Sequence, residues 1–129
     1  MPSLKWTSPD AADAGEVVVF RSELPLRRRR YMFGFLRDTM RIRRLLDKFA
    51  SDSDGGLVLY QLTAQPLANR YATASAWRSE EHLRRFAGDP VHVGVMRRQR
   101  DHLGTPTFEQ TSADARTLVP AEARTGRSG

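Results

Sequence analysis

The chain has 129 residues, the length of one domain with a modest hydrophobic core, and a domain this small gains stability by burying a sheet face against a partner. It has no cysteine, which excludes disulfides, thiolate metal sites, iron–sulfur clusters and a cysteine nucleophile. Basic residues outnumber acidic ones by 21 to 15, but all except Lys5 and Lys48 are arginine. Because an arginine bias with many alanines also marks a GC-rich genome, the charge is weak evidence for an anionic partner.

No apolar stretch approaches the length that spans a bilayer, and the first ten residues lack the basic segment and apolar run of a signal peptide. We therefore expect a cytoplasmic protein without a membrane partner.

The first half of the chain predicts a strand, a helix and a second strand. Residues 16–21 are rich in β-branched side chains and follow Gly15, which indicates a strand. Residues 26–50 place apolar side chains at intervals of three and four, the period of an amphipathic helix. The Ser, Asp and Gly residues of 51–56 favour a helix end and a turn, and residues 57–63 then predict the second strand.

The second half repeats this order. Residues 70–77 alternate sharply between two faces, which predicts a strand. Ser79 is a suitable N-cap for a second helix, which Pro90 interrupts and restarts behind Asp89. The restarted piece runs to residue 103, and residues 107–111 predict the last strand.

This order predicts an α+β protein with the ferredoxin-like βαββαβ topology, in which a four-stranded antiparallel sheet carries both helices on one face. The other face is left for a partner, so we expect a dimeric α/β barrel. We place the domain at residues 15–112, between a flexible N-terminus (1–14) and a flexible C-terminal tail (113–129).

Residues 71–96 resemble the antibiotic-biosynthesis-monooxygenase-like superfamily. The shared features are a Trp that ends a strand, an acidic helix start, a Phe, and a His followed by a Met, here Trp77, Glu80, Phe86, His92 and Met96. The first helix is also similar to the spheroidene-monooxygenase-like branch, and together the resemblance covers residues 16–110. It implies a homodimeric barrel with a pocket between each sheet and its helices.

The resemblance implies an enzyme of secondary metabolism rather than one reaction. The leading expectation is a cofactor-independent monooxygenase-like protein that takes a proton from a small, hydrophobic, oxygen-bearing substrate of the aromatic or polyketide type. Three alternatives stay open: a non-oxidative cyclase or isomerase in the same pocket, a haem-dependent monooxygenase, and a non-catalytic ligand-binding dimer.

His92 is the candidate catalytic residue. It corresponds to the histidine of the family's second helix, and a neutral imidazole can act as a general base or as a ligand. The structural alternative is a half-buried histidine near a helix cap. We expect no cofactor, although a single axial haem ligand at this position stays open.

Five further residues are candidates for substrate binding. Tyr71, Ser75 and Trp77 share one face of a strand, where flat apolar surface and hydroxyls would suit an aromatic ligand. Phe35 and Arg37 lie beside Gly34, which could let a ligand approach the first helix. Core or dimer packing explains the aromatic residues equally well, and Arg37 could belong to a solvated face.

Two other site classes are disfavoured. The three histidines recur every ten residues, a spacing that does not bring them together on a helix, so we expect no metal site. Nucleic-acid binding is not expected, because residues 70–77 lack the aromatic pattern that stacks RNA bases. The basic run at residues 27–30 is expected to face solvent, where it could steer an anionic substrate.

Overall fold

Five strands form one antiparallel sheet in the computed structural model, which describes residues 3–119. The strands are β1 (Ser3–Thr7), β2 (Glu16–Pro25), β3 (Leu57–Gln65), β4 (Arg70–Trp77) and β5 (Thr107–Asp114). The helices are α1 (Met32–Ser51), α2 (Glu80–Ala87), α3 (Pro90–Gln99) and the short α4 (Ala115–Leu118). No helix in this range is long and apolar enough to cross a membrane.

The sheet has the spatial order β1-β3-β4-β2-β5. Strands β2 to β5, with α1 after β2 and the pair α2 and α3 after β4, give the βαββαβ order that defines the ferredoxin-like topology. The α+β class and this topology are therefore confirmed.

The prediction of four strands is corrected to five. Strand β1 lies within residues 1–14, which the sequence analysis assigned to a flexible N-terminus, and it pairs with the edge of β3. Its apolar side chains Leu4 and Trp6 alternate with polar ones and pack against the core on the helix side, where the rings of Trp6 and Tyr60 stack at 6.3 Å. A period-two pattern with only two apolar positions is too short to distinguish a strand from a loop.

Residues 113–119, expected to belong to a flexible tail, contain the end of β5 and helix α4. The carboxylate of Asp114 caps α4 by accepting a hydrogen bond of 2.9 Å from the backbone N–H of Arg116. Ala115 and Val119 are buried against Val17 and Ala11, so this segment covers part of the sheet. The remainder of the expected tail, residues 120–129, lies outside the described residues.

The alternation in β4 separates two environments. Tyr71, Thr73, Ser75 and Trp77 point towards the helices, as shown by the packing of Trp77 against Phe86 of α2. Ala72, Ala74 and Ala76 point the other way, and we call this side of the sheet the alanine face. Ala76 lies under the α4 segment, whereas Ala72 and Ala74 are only half-buried.

Helix α1 joins β3 through a turn that requires glycine. Gly56 has a φ of +71°, and a Cβ added there would lie 2.2 Å from the ring of His82. Gly34 differs, because an added Cβ would meet no atom within 4 Å. No described part of the protein therefore approaches the backbone closely at Gly34.

Candidate functional site

A cavity of about 540 Å³ lies between helix α3, the loop that follows it and strand β5. This volume is in the range of small-molecule sites. Its walls combine apolar side chains with one histidine and three arginines: Arg27, Ala87, His92, Val93, Met96, Arg97, Arg100, Leu103, Gly104, Pro106 and Phe108.

Helix α3 supplies one wall of this cavity. Pro90 occupies the first turn, and the carboxylate of Asp89 accepts a hydrogen bond of 2.9 Å from the backbone N–H of Val91, so the helix restarts as predicted. His92, Met96 and Arg100 follow at intervals of four residues and therefore lie on one side of the helix.

His92 is held in a defined orientation on this wall. Its Nδ1 lies 3.0 Å from the backbone carbonyl oxygen of Ala87. Because a carbonyl oxygen only accepts, Nδ1 carries the proton and donates, which leaves the Nε2 lone pair free for a ligand in the neutral ring.

Burial lowers the pKa of His92 below its ordinary value, although the Ala87 carbonyl and the Asp89 carboxylate oppose this effect. The ring is therefore neutral at pH 7. A neutral imidazole with its Nε2 lone pair free can accept a proton.

Trp77 and Ser75 stand behind His92 rather than beside the cavity. The ring of His92 contacts Phe86 at 4.9 Å between centroids, and Phe86 contacts Trp77 at 5.2 Å. Trp77 is fully buried, and its Nε1 donates a hydrogen bond of 2.9 Å to the hydroxyl of Ser75. The structure thus connects three predicted site residues through Phe86, with only His92 on the cavity wall.

Tyr71 and Phe35 form a second pair, packed with their ring centroids 4.7 Å apart. They share a buried cluster with Leu103, so they support the cavity wall from behind. Burial raises the pKa of Tyr71, and its hydroxyl has no hydrogen-bond partner among the described residues. Tyr71 also borders a separate cavity of about 250 Å³ at the far end of β4.

Arg37 lies away from both cavities, with 67% of its side chain exposed. Its neighbour Asp38 is fully buried and accepts hydrogen bonds from Arg98 at 3.2 Å and from the Gln99 amide at 2.7 Å. Burial alone would raise the pKa of Asp38, but these bonds and the nearby arginine charges hold it below the ordinary value. This network fixes α3 against α1.

His92 is the one predicted site residue among those that line the cavity. The charged and aromatic lining residues that were not predicted as site residues are Arg27, Arg97, Arg100 and Phe108. Arg100 follows His92 by eight residues, a little over two helical turns, so helical periodicity could have placed it near the same wall. Arg97 follows His92 by five residues and lies about 140° around the helix, so periodicity could not have placed it there. Phe108 is 53% exposed and stacks on Phe20 at 6.0 Å, a position that depends on how β5 pairs with β2.

Within residues 3–119, no group of three or more His, Asp or Glu side chains is placed to hold a metal ion.

No family model matches the chain, and no curated protein matches it. Several solved structures do have a similar fold. A protein from Caulobacter crescentus assigned as an antibiotic biosynthesis monooxygenase has a TM-score of 0.65 and 15% identity, over 77% of this chain and 91% of that chain. SnoaB from Streptomyces nogalater, described as a cofactor-independent oxygenase, has a TM-score of 0.58 and 18% identity, over 77% and 93%. A Nitrosomonas europaea protein assigned as an antibiotic biosynthesis monooxygenase has a TM-score of 0.60 and 9% identity, over 78% and 90%.

These likenesses concern the fold. The chain has the fold of the antibiotic-biosynthesis-monooxygenase-like proteins, in agreement with the resemblance found in residues 71–96.

Proposed function

We propose that this protein is a cofactor-independent monooxygenase-like enzyme that acts on an aromatic or polyketide-type substrate, with His92 as the general base. The observation that carries the proposal is the state of His92. The ring is neutral, its Nδ1 is engaged by Ala87, and it forms part of the wall of a largely apolar cavity. A base held in this way can take a proton from an acidic carbon whose carbanion is stabilised by neighbouring carbonyl groups or rings.

The proposed reaction starts when Nε2 of His92 removes a proton from such a CH₂ carbon. The carbanion gives its electrons to dioxygen, a C–O bond forms, and the peroxide takes up the proton to give a hydroperoxide. Loss of water then breaks the O–O bond and the second C–H bond and leaves a carbonyl group. The substrate is the reductant and dioxygen the oxidant, so one dioxygen yields one carbonyl and one water.

The protein contributes three things to this chemistry. The Ala87 carbonyl orients the ring and stabilises the imidazolium that forms when Nε2 is protonated. The side chains of Val93, Met96, Leu103 and Phe108 give the apolar part of the substrate a surface to pack against beside His92. The fold shared with SnoaB supports the proposal, because that protein is described as a cofactor-independent oxygenase.

The test is oxygen uptake by the purified protein with anthrone, a tricyclic ketone that carries an acidic CH₂ group. We expect uptake of one dioxygen per anthrone converted to the quinone. His92→Gln should lower kcat/KM by about a hundredfold or more, the contribution of a general base. The matched control is His82→Gln, because His82 is bonded to Ser79 at the start of α2 and does not line the cavity.

Three results would contradict the proposal. Unchanged turnover in His92→Gln would reject His92 as the base. Conversion of the substrate without oxygen uptake would favour a cyclase or isomerase that uses the same proton transfer. A Soret absorption band in the purified protein would favour the haem-dependent alternative.

We also propose a homodimer. The support is the alanine face, where Ala72 and Ala74 are small, only half-buried and flanked by the half-buried side chains of Gln61 and Thr63. Small side chains let another sheet approach closely.

A further inference from the structure

Three arginines line the cavity together with His92. We call Arg27, Arg97 and Arg100 the arginine rim. No Asp or Glu lines this cavity, and no carboxylate among residues 3–119 lies within 4.0 Å of a rim guanidinium. By contrast, Arg84 on the surface of α2 pairs with Glu80 at 2.8 Å.

Hydrogen bonds position the arginines of the rim from two directions, Arg27 from the loop after α3 and the α3 arginines from α1. Nε of Arg27 donates a hydrogen bond of 2.6 Å to the Leu103 carbonyl, which leaves its two terminal nitrogens free to bind a ligand. The backbone N–H of Arg27 donates to the carbonyl of His102 at 2.8 Å, so β2 and the loop after α3 are tied together.

On the other side, the contacts of Arg98 and Gln99 with Asp38 fix the rotation of α3 against α1. This rotation leaves Arg97 and Arg100 on the cavity side.

The distance from the rim to His92 follows from helix geometry. Arg97 and Arg100 come five and eight residues after His92, which corresponds to roughly 7 and 12 Å along the helix axis at about 1.5 Å per residue. A ligand that reaches both ends must therefore be several ångströms long, and the wall between them is apolar where Val93 and Met96 lie.

We infer that the substrate is an aromatic or polycyclic carboxylic acid, whose carboxylate binds the arginine rim while its reacting carbon lies at His92. This inference rests on the proposed function, since it assigns the substrate class of the same site. Guanidinium groups bind carboxylates through pairs of parallel hydrogen bonds, which are stronger than bonds to neutral acceptors. A carboxylate also supplies the negative charge that the cavity walls lack.

The binding test compares an anthraquinone carboxylic acid with the corresponding carboxamide by isothermal titration calorimetry. The two probes differ in charge and have nearly the same shape. We expect the wild-type protein to bind the acid at least about tenfold more tightly than the amide, since hydrogen bonds between charged groups are stronger than those to a neutral amide.

The double variant Arg97→Gln/Arg100→Gln should lower the affinity for the acid by about tenfold or more and change the affinity for the amide by less than about twofold. Arg44→Gln is the control, because Arg44 is exposed on α1 and lines neither cavity. It removes one positive charge at a distance from the rim, so it should leave the preference for the acid intact.

Equal binding of the acid and the amide by the wild-type protein would overturn the inference. So would an equal loss for both probes in the double variant. The binding measurement is independent of turnover. A preference for the acid without oxygen uptake would reject the proposed oxygenase activity but support the arginine rim as a carboxylate site. Oxygen uptake with neutral anthrone and no preference for the acid would support the oxygenase activity but reject the carboxylate site.

Discussion

Burial has two opposite effects on His92 as a base. It lowers the pKa, which weakens the ring as a proton acceptor, but it also keeps the ring neutral at pH 7, which makes the acceptor available. A substrate carbon between carbonyl groups or rings is acidic enough for a weak base to deprotonate. The Ala87 carbonyl compensates in part, because it favours the protonated ring that forms during the reaction.

The pH dependence of turnover should show this shift. The pKa of His92 lies below the ordinary histidine value of 6.5, so the midpoint of the acid limb of kcat/KM should lie below pH 6.5. The measurement is kcat/KM for oxygen uptake across the acidic range. A midpoint above pH 6.5 would contradict the assignment of His92.

A variant that removes the negative charge of Asp89 tests whether His92 controls the acid limb. Asp89 raises the pKa of His92, so Asp89→Asn should move the acid limb to still lower pH. Asparagine is also a good N-cap, and helix α3 should therefore keep its start. An unchanged profile would mean that another group controls the acid limb.

The sequence predicted the candidate base but not the surroundings of the cavity. His92 was chosen as the candidate because it follows a cap and a restarted helix and corresponds to a histidine of the family that residues 71–96 resemble, and the structure places it on the cavity wall. The alternation of Ser75 and Trp77 correctly placed them on one side of β4, but alternation does not show depth, and both lie behind Phe86. Arg27 and Phe108 reach the cavity through strand pairing and loop contacts, which local patterns do not encode.

At the level of elements, the strands and helices with strong periodicity were predicted, but α1 begins at Met32 rather than at residue 26, because β2 runs to Pro25 and Leu26 bridges to Leu103. Strand β4 was predicted with its observed bounds, and the break at Pro90 was predicted from the proline and its cap. Strand β1 and helix α4 were missed because each is only four or five residues long. Such short elements depend on tertiary packing. Strand β1 packs Trp6 against Tyr60, and helix α4 packs Ala115 into the cluster with Ala11 and Val17.

The two glycines of the α1 region should respond in opposite ways to the same substitution. Gly56→Ala should lower the free energy of unfolding by about 1 to 3 kcal/mol, because alanine disfavours positive φ and its Cβ would collide with His82. Gly34→Ala adds a better helix former in open space and should raise the free energy of unfolding by up to about 1 kcal/mol.

Urea unfolding followed by circular dichroism measures both variants. Equal stability of the two proteins would show that the turn after α1 does not require glycine.

For the whole molecule, the two faces of the sheet have different roles. One face carries the helices and, with them, the cavity. The other is half covered by α4 and half open at Ala72 and Ala74, which gives a partner sheet a limited area to cover. In the proposed homodimer, the two copies would therefore meet on the side of the sheet opposite His92.

Ala74→Arg tests this arrangement. Ala74 pairs with Arg21 and Gln61 in the adjacent strands, so the new side chain would add bulk and a second positive charge in the middle of the open area. We expect the wild-type protein to sediment as a dimer and the variant as a monomer in analytical ultracentrifugation. Ala68→Arg, in the exposed turn between β3 and β4, should remain a dimer. A monomeric wild-type protein would reject the proposed homodimer.

The register of the sheet also determines when it can form during synthesis. The hairpin of β3 and β4 is local, since Gln65 pairs with Arg70. Strand β2, by contrast, lies between β4 and β5, and its residue Glu16 pairs with Asp114 near the other end of the described chain. β2 can pair with β4 first, but its other edge stays open until β5 has emerged, because distant pairings close long loops and form slowly. Until then the nascent chain can aggregate through this open edge of β2.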